Sequence, residues 1–237
     1  MRRRAFLAFA IWPFSLFRRK VKLGSISFRV IKRGQDRRRY IWIHGNESSA
    51  RQVLFAHMKS TDGRAFLIDN GDRNVVFSGY KLDPNRMFSR PGAERSLRAL
   101  NPAASQPQLE SVLTELDRHR EGFLGALLPG QGKLLIALHN NGPSYSVKDE
   151  LPDSDAVALN DKTNPDEFLL CTNSNDFRVL AKSPYNVVLQ NRAPRYDDGS
   201  LSRVCAARGV RYVNIEAKLG NVTRQQEILN WLESALR

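Results

Sequence analysis

The chain has 237 residues, of which 41% are apolar and 26% charged, with a formal net charge of +13. That size and balance fit one large globular domain with a sizeable core and exclude a disordered or fibrous chain. Cys171 and Cys205 have no C-x-x-C spacing, which excludes a disulfide framework, a zinc knuckle and a thioredoxin-like site. Two buried free thiols are expected, with a single disulfide as the alternative.

The positive charge is not spread over the fold. Residues 1–39 hold thirteen Lys and Arg against the single acid Asp36, leaving 24 bases and 23 acids from residue 40 onward. A body so nearly neutral has no electrostatic face for nucleic acid, so no nucleic-acid partner is expected.

The N-terminus, "MRRRAFLAFAIWPFSLFRRK", places a basic cluster before an apolar run from Ala5 to Phe17, broken by Pro13. The run is short of the about 20 residues a spanning helix needs and fits the roughly 7–15 of a signal-peptide core. Arg3-Arg4-Ala5-Phe6-Leu7 resembles a twin-arginine export signal, although Arg18-Arg19-Lys20 stands where a small-residue cleavage site belongs. The expectation is a signal or anchor segment over residues 1–21, exported, periplasmic or membrane-associated, followed by one domain over 22–237. A cytoplasmic location is the alternative.

Along the domain, alternation predicts a strand over Leu23–Ile31 and a second over Tyr40–Ile43. Ser48–Met58 reads as a helix capped by Ser48 or Ser49. Ala65–Ile68 is a short strand, and Leu109–Leu128 a helix with apolar residues three or four apart. "KLLIAL", Lys133–Leu138, is a continuous apolar run suited to a buried strand. Phe168–Cys171, Asn186–Leu189 and Arg211–Ile215 are further strands, and Arg224–Leu236 is a closing amphipathic helix. Residues 149–165 read as a polar surface loop. Strands alternating with helices predict an α/β fold, a single domain with a central mixed, mostly parallel sheet flanked by helices.

The candidate chemistry starts at "YIWIHGNE". His44 and Glu47 follow a strand end, and Gly45 permits a tight backbone there. One imidazole and one carboxylate are two acceptable zinc ligands, but a catalytic zinc takes three protein ligands and keeps a fourth position open. His139, directly after the apolar run in "KLLIALHNN", supplies the third at the end of a buried strand, where open α/β sheets place their sites. His57 reads as a half-buried core imidazole, and His119, in "LDRHREG", as solvated. Glu216, in "VRYVNIEAKLG", is an acid ending another apolar strand; a buried unpaired carboxylate is costly there, which suits a base beside a metal. Its bland alternative is an ion pair with Lys218. Asn85-Arg86, in "YKLDPNRMFSR", offers a fork for a carboxylate. Arg73, in "GDRNVVF", is a cation for a developing oxyanion, with Arg90 or Arg195 as substitutes.

Taken together, His44-Gly45-Asn46-Glu47, Asp83-Pro84-Asn85-Arg86, Leu138-His139-Asn140 and Asn214-Ile215-Glu216-Ala217 resemble the zinc carboxypeptidase superfamily, nearest its succinylglutamate desuccinylase/aspartoacylase branch. The likeness spans about residues 40–220. It implies a carboxypeptidase-like fold and one Zn2+ per chain on His44, Glu47 and His139. It also implies Glu216 as general base and proton shuttle, Arg73 as oxyanion holder, and Asn85 with Arg86 as clamp on a substrate carboxylate. Three departures stand out: Asp83-Pro84-Asn85-Arg86 replaces the usual D-L-N-R, Arg73 lies twelve residues before Asn85 where the branch has an arginine a few residues upstream, and no second β domain is evident.

The implied activity is a metallohydrolase cleaving an amide or peptide bond beside a free carboxylate, of carboxypeptidase or amidase type. The alternatives are an N-acyl-amino-acid deacylase and a non-catalytic, membrane-tethered binding module. The implied partner is a small carboxylate-bearing amide or peptide, with membrane association through the N-terminus a further expectation.

Overall fold

The structure, a computed structural model, describes residues 19–142, 144–192 and 196–236. Most of the N-terminal segment expected over 1–21, and Arg195, lie outside the described residues. Arg19, Lys20 and Val21 do belong to the domain, because they pair in its first strand.

The sheet begins with a hairpin where the sequence suggested one strand: β1 (Arg19–Leu23) and β2 (Ile26–Arg33). Gly24, at φ +55°, makes the turn between them, a conformation that side chains resist. Then come β3 (Arg38–Trp42), α1 (Ser48–His57), β4 (Gly63–Ile68), a small outlying hairpin β5 (Val75–Phe77) and β6 (Tyr80–Leu82), α2 (Arg90–Leu100) and α3 (Gln106–Leu127). The remainder is β7 (Leu134–Asn141), α4 (Val147–Glu150), β8 (Ala156–Ala158), β9 (Phe168–Cys171), α5 (Ser174–Leu180), β10 (Asn186–Leu189), α6 (Leu201–Ala207), β11 (Arg211–Lys218) and α7 (Val222–Ala235). The expected loop over 149–165 therefore carries a short strand, β8, which closes one sheet edge by pairing with β10.

Nine strands form one mixed sheet in the order β1-β2-β4-β3-β7-β11-β9-β10-β8. Its inner four, β4, β3, β7 and β11, run parallel, and antiparallel pairings flank them on both sides. Parallel strands must be covered on both faces, so they read as apolar runs rather than alternations. Accordingly every residue of β7 is buried, and each large aliphatic side chain there contributes roughly 1.5–3 kcal/mol by leaving water.

The helices that cover the sheet are amphipathic. In α3 the buried side chains include Leu109, Val112, Leu113, Leu116, Phe123 and Leu124, a stripe at helical spacing. Its start is fixed reciprocally: Gln108 Oε1 accepts from the Ser105 backbone N–H at 2.8 Å, and the Ser105 side chain caps the helix in return. Asn221 likewise caps α7 by accepting from Arg224 N. Cys171 and Cys205 are buried and free. Among the described residues no helix is long and apolar enough to cross a membrane.

Candidate metal centre

Three adjacent parallel strands put their carboxyl ends side by side, and the functional side chains stand on that edge. His44 lies two residues beyond β3, whereas His139 and Glu216 are opposite one another in the β7–β11 register. Partners in register point to the same face of a sheet. The crossover topology thus joins residues 77 and 95 positions apart along the chain without any local signal (Glu216 from His139, and His139 from His44).

The corner after β3 is tightly built. Gly45 donates its N–H to Asp72 O at 2.9 Å, and a Cβ on it would lie 2.3 Å from Asn70 O. Only glycine admits that approach, and it seats the 70–73 loop against the corner. The expected cap is not Ser48 or Ser49: the residue at the helix start is Glu47, whose side chain makes no capping bond because it faces the histidines. Ser49 instead accepts from Gly220 N–H. Compensation for the uncapped start comes from elsewhere. Asn140 Oδ1 accepts from the Ala50 N–H at 2.9 Å, which satisfies one orphan donor of the helix; Trp42 Nε1–H separately anchors the Glu47 carbonyl at 2.9 Å. Gln225, fully buried, ties Asn140 and the His139 carbonyl to α7.

The ligand atoms of His44, Glu47 and His139 all lie within 4.8 Å of one another, and all three side chains are buried. His44 Nδ1 is 2.7 Å from Glu47 Oε1, and His139 Nδ1 is 3.2 Å from Glu47 Oε2. His44 Nε2 meets Asp83 Oδ1 at 2.9 Å. A carboxylate accepting from one ring nitrogen fixes the tautomer and leaves the other nitrogen's lone pair for a metal. His139 Nε2 is buried and has no partner among the described residues.

The electrostatics fit a site that wants a cation. Burial disfavours the His44 imidazolium, but hydrogen bonds and charge from Asp83 and Glu47 outweigh it and lift the pKa to about 9. Burial likewise opposes ionisation of Glu47, yet His139 and His44 bring it down to about 2. Asp83 is also held below the usual carboxylate range, with His44 and Arg73 overcoming its burial. The proton on His44 thus supplies positive charge that a divalent metal would supply. Two imidazole nitrogens, one of them on a ring oriented by Asp83, and one carboxylate make a three-donor set that fits zinc.

Glu216 is buried, and burial raises its pKa to about 7 against the lowering influence of His139. Asn214 Nδ2–H donates to Glu216 Oε1 at 2.8 Å, while Oε2 is buried without a partner among the described residues. Its bland alternative fails, because Lys218 faces Asp166 at 3.6 Å.

His44, Glu47, His139 and Glu216 border one cavity of about 450 Å³, together with Arg73, Asn85, Arg86 and Tyr145. Arg73 is half exposed, with its guanidinium 3.5 Å from both Glu47 and Asp83. Arg86 Nη1 pairs with Asp198 at 2.8 Å, and Asn85 Oδ1 accepts from Leu201 N–H. The substitute Arg90 is not in the cavity: it pairs with Glu110 and Asp117 on α3. His57 packs edge-on to Tyr40, lies 3.6 Å from Glu233 and is not among the residues lining this cavity. His119 is exposed.

Sequence reasoning assigned no role to Asp83, Asn140, Gln225 or Tyr145. Asp83 opens the motif Asp83-Pro84-Asn85-Arg86, so its place was marked but its partner was not. Tyr145 donates its hydroxyl to Glu150 and rests on Phe168, and burial beside Glu216 and Glu150 keeps the phenol protonated.

No protein-family model matches the chain, and neither does any curated protein. Solved structures similar to it include the ectoine utilization protein EutE (DoeB) from Ruegeria pomeroyi, with TM-score 0.48 and 18% identity over 89% of this chain and 59% of that one. A candidate metallopeptidase from Shewanella denitrificans follows at TM-score 0.47 and 12% identity, covering 93% and 83%. An aspartoacylase family protein from Mesorhizobium loti gives 0.41 and 16%, covering 86% and 60%. The chain therefore spans 59% of the length of the EutE structure.

Proposed function

We propose that the protein is a zinc-dependent hydrolase, with one zinc per chain, cleaving an amide or peptide bond next to a free carboxylate. The observation that carries this reading is the convergence of His44, Glu47 and His139 within 4.8 Å, beside an unpaired buried oxygen of Glu216 in the same cavity. Three protein ligands rather than four are the mark of a hydrolytic zinc site as opposed to a structural one. When bound, zinc supplies Lewis-acid polarisation of the scissile carbonyl and brings the pKa of water down to about 7.

The chain's own residues account for the remaining steps. Asn214 occupies Glu216 Oε1, so Oε2 is the free atom that takes a proton from the attacking water and passes it to the leaving nitrogen. Arg73 faces the ligand cluster and stabilises negative charge developing on the carbonyl oxygen. Asn85 and Arg86 hold the substrate carboxylate, with Asp198 fixing the guanidinium plane. Tyr145, kept protonated, is a further donor on the cavity wall.

A second reading within the same chemistry, an N-acyl-amino-acid deacylase, draws support from cavity size. A volume of about 450 Å³ suits a small molecule held whole.

The test is metal content by plasma mass spectrometry on the wild type and His139→Ala, purified without chelator, followed by hydrolysis assays on acyl-amino acids and short peptides. One zinc per wild-type chain, lost in the variant, with turnover of either substrate set, is the expected result. No zinc in either folded protein when zinc is supplied would overturn the reading and favour a non-catalytic binding module.

A further inference from the structure

The basic residues of β1 and β2 are folded into one edge of the nine-stranded sheet rather than trailing from it. Lys20 stands in register with Arg29 of β2, Arg29 with Leu67 of β4, and Leu67 with Trp42 of β3. All four side chains therefore belong to one face of the sheet. Further in, α1 covers that face: His57 packs edge-on to Tyr40, and Arg51 stacks over Trp42. Phe28 points the other way, its ring 4.9 Å from that of Phe123 on α3. Beyond α1 the face is open. Lys20 and Lys22 are exposed there, and the Lys20 side chain keeps 51% of its accessible surface.

The charges of this strip do not cancel. Arg33 continues it along β2, and Lys59 adjoins it just past α1, because its carbonyl accepts from the Arg33 guanidinium. Lys20, Lys22, Arg29, Arg33, Arg51 and Lys59 are set against two carboxylates among the described residues: Asp69, held by Lys20 and Arg29, and Asp62, held by Arg33. Like charges gathered on one folded face repel one another, and an anionic surface relieves that repulsion. The sequence upstream supplies an independent observation. The apolar run from Ala5 to Phe17 ends two positions before Arg19, the first residue of the edge strand. An apolar anchor that is marginal alone becomes a stable attachment to lipid when a polybasic patch lies beside it.

We propose that the open face of β1 and β2, carrying Lys20, Lys22, Arg29 and Arg33 with Lys59 beside them, docks on an anionic lipid surface. None of these residues lines the cavity at the candidate metal centre, so the docking face is independent of the hydrolase reading.

Cosedimentation of the full chain with vesicles tests this. One set is phosphatidylcholine alone, the other phosphatidylcholine with about one-third phosphatidylglycerol. The wild type should partition at least about tenfold more strongly onto the anionic set, and added salt should erase that preference. The combined substitution Lys20→Gln, Lys22→Gln and Lys59→Gln should lower the preference at least about fivefold, the weight of a single cation near such a surface. A charge-matched control, Lys81→Gln, Lys148→Gln and Lys182→Gln, should stay within about twofold of wild type. All six lysines are exposed, so neither variant disturbs the core. No anionic preference, an equal fall in both variants, or no fall in the first, which would leave the upstream segment as the whole anchor, would overturn the proposal. So would a DNA duplex that competes the chain off the vesicles and needs the same three lysines, because the strip would then be a nucleic-acid face.

Discussion

Asp83 Oδ1 stands 2.9 Å from Nε2 of His44, and the two residues are 39 positions apart. Asp83 also accepts from the Asn85 N–H at 2.8 Å, so one carboxylate both orients a candidate ligand and caps the turn that presents Asn85 and Arg86. The candidate metal ligand and the candidate carboxylate clamp thereby depend on a single side chain.

Asp83→Asn keeps an acceptor for Asn85 N–H and removes the charge behind His44. Zinc affinity should drop by roughly 10–100-fold, as for other partners of metal-bound imidazoles. Competition with a chromophoric chelator measures it. Unchanged affinity would dissociate Asp83 from the metal site.

Metal binding should release a proton and tighten with pH. In the metal-free chain His44 is an imidazolium below its pKa of about 9, and a metal must displace that proton. Apparent zinc affinity should climb about tenfold per unit from pH 6.5 to 8.5, levelling off above 9. Titrations in buffers of different ionisation heats count the proton directly.

Glu216→Gln should leave zinc bound while lowering turnover by about 10²–10⁴-fold, the usual weight of a general base. It should also change stability in the metal-free form. Glu216 has its folded pKa raised to about 7 by burial, so the folded state loses stability as pH rises from about 4.5 to 7. The variant lacks this penalty, and its advantage in chemical denaturation should be absent near pH 4.5 and full above 7.

Gly45→Ala should destabilise the fold by about 1–3 kcal/mol, the usual cost of forcing atoms into a packed site. The added methyl would sit 2.3 Å from a backbone oxygen, that of Asn70, so the loop carrying Arg73 must move. A lowered Tm together with weakened activity is expected; an unchanged Tm would mean that the loop yields freely.

Much of the sheet was legible because its strands carry local signatures. "KLLIAL" and the run before Glu216 are buried on both faces and therefore apolar throughout. The helix α2 left no comparable signal, since Arg90, Glu94, Arg95 and Arg98 dominate it and only Gly92, Ala93 and Leu97 are buried. The hairpin turn at Gly24 was hidden inside a continuous alternation. The cap of α1 was misplaced because Glu47 faces the histidines, and hydrogen bonds from residues remote in sequence hold the helix start in its place.

The sequence by itself determined that His44, His139 and Glu216 close apolar runs whose composition dictates buried strands, with Glu47 opening the helix after the first of them. Only the tertiary structure decided that β3, β7 and β11 are neighbours, that the distant Asp83 meets Nε2 of His44, and that Arg90 is turned away to α3 while Arg73 faces the cavity. Periodicity is a local property of the chain, whereas strand order and side-chain pairing depend on contacts between residues tens of positions apart. No short stretch of sequence encodes those contacts on its own.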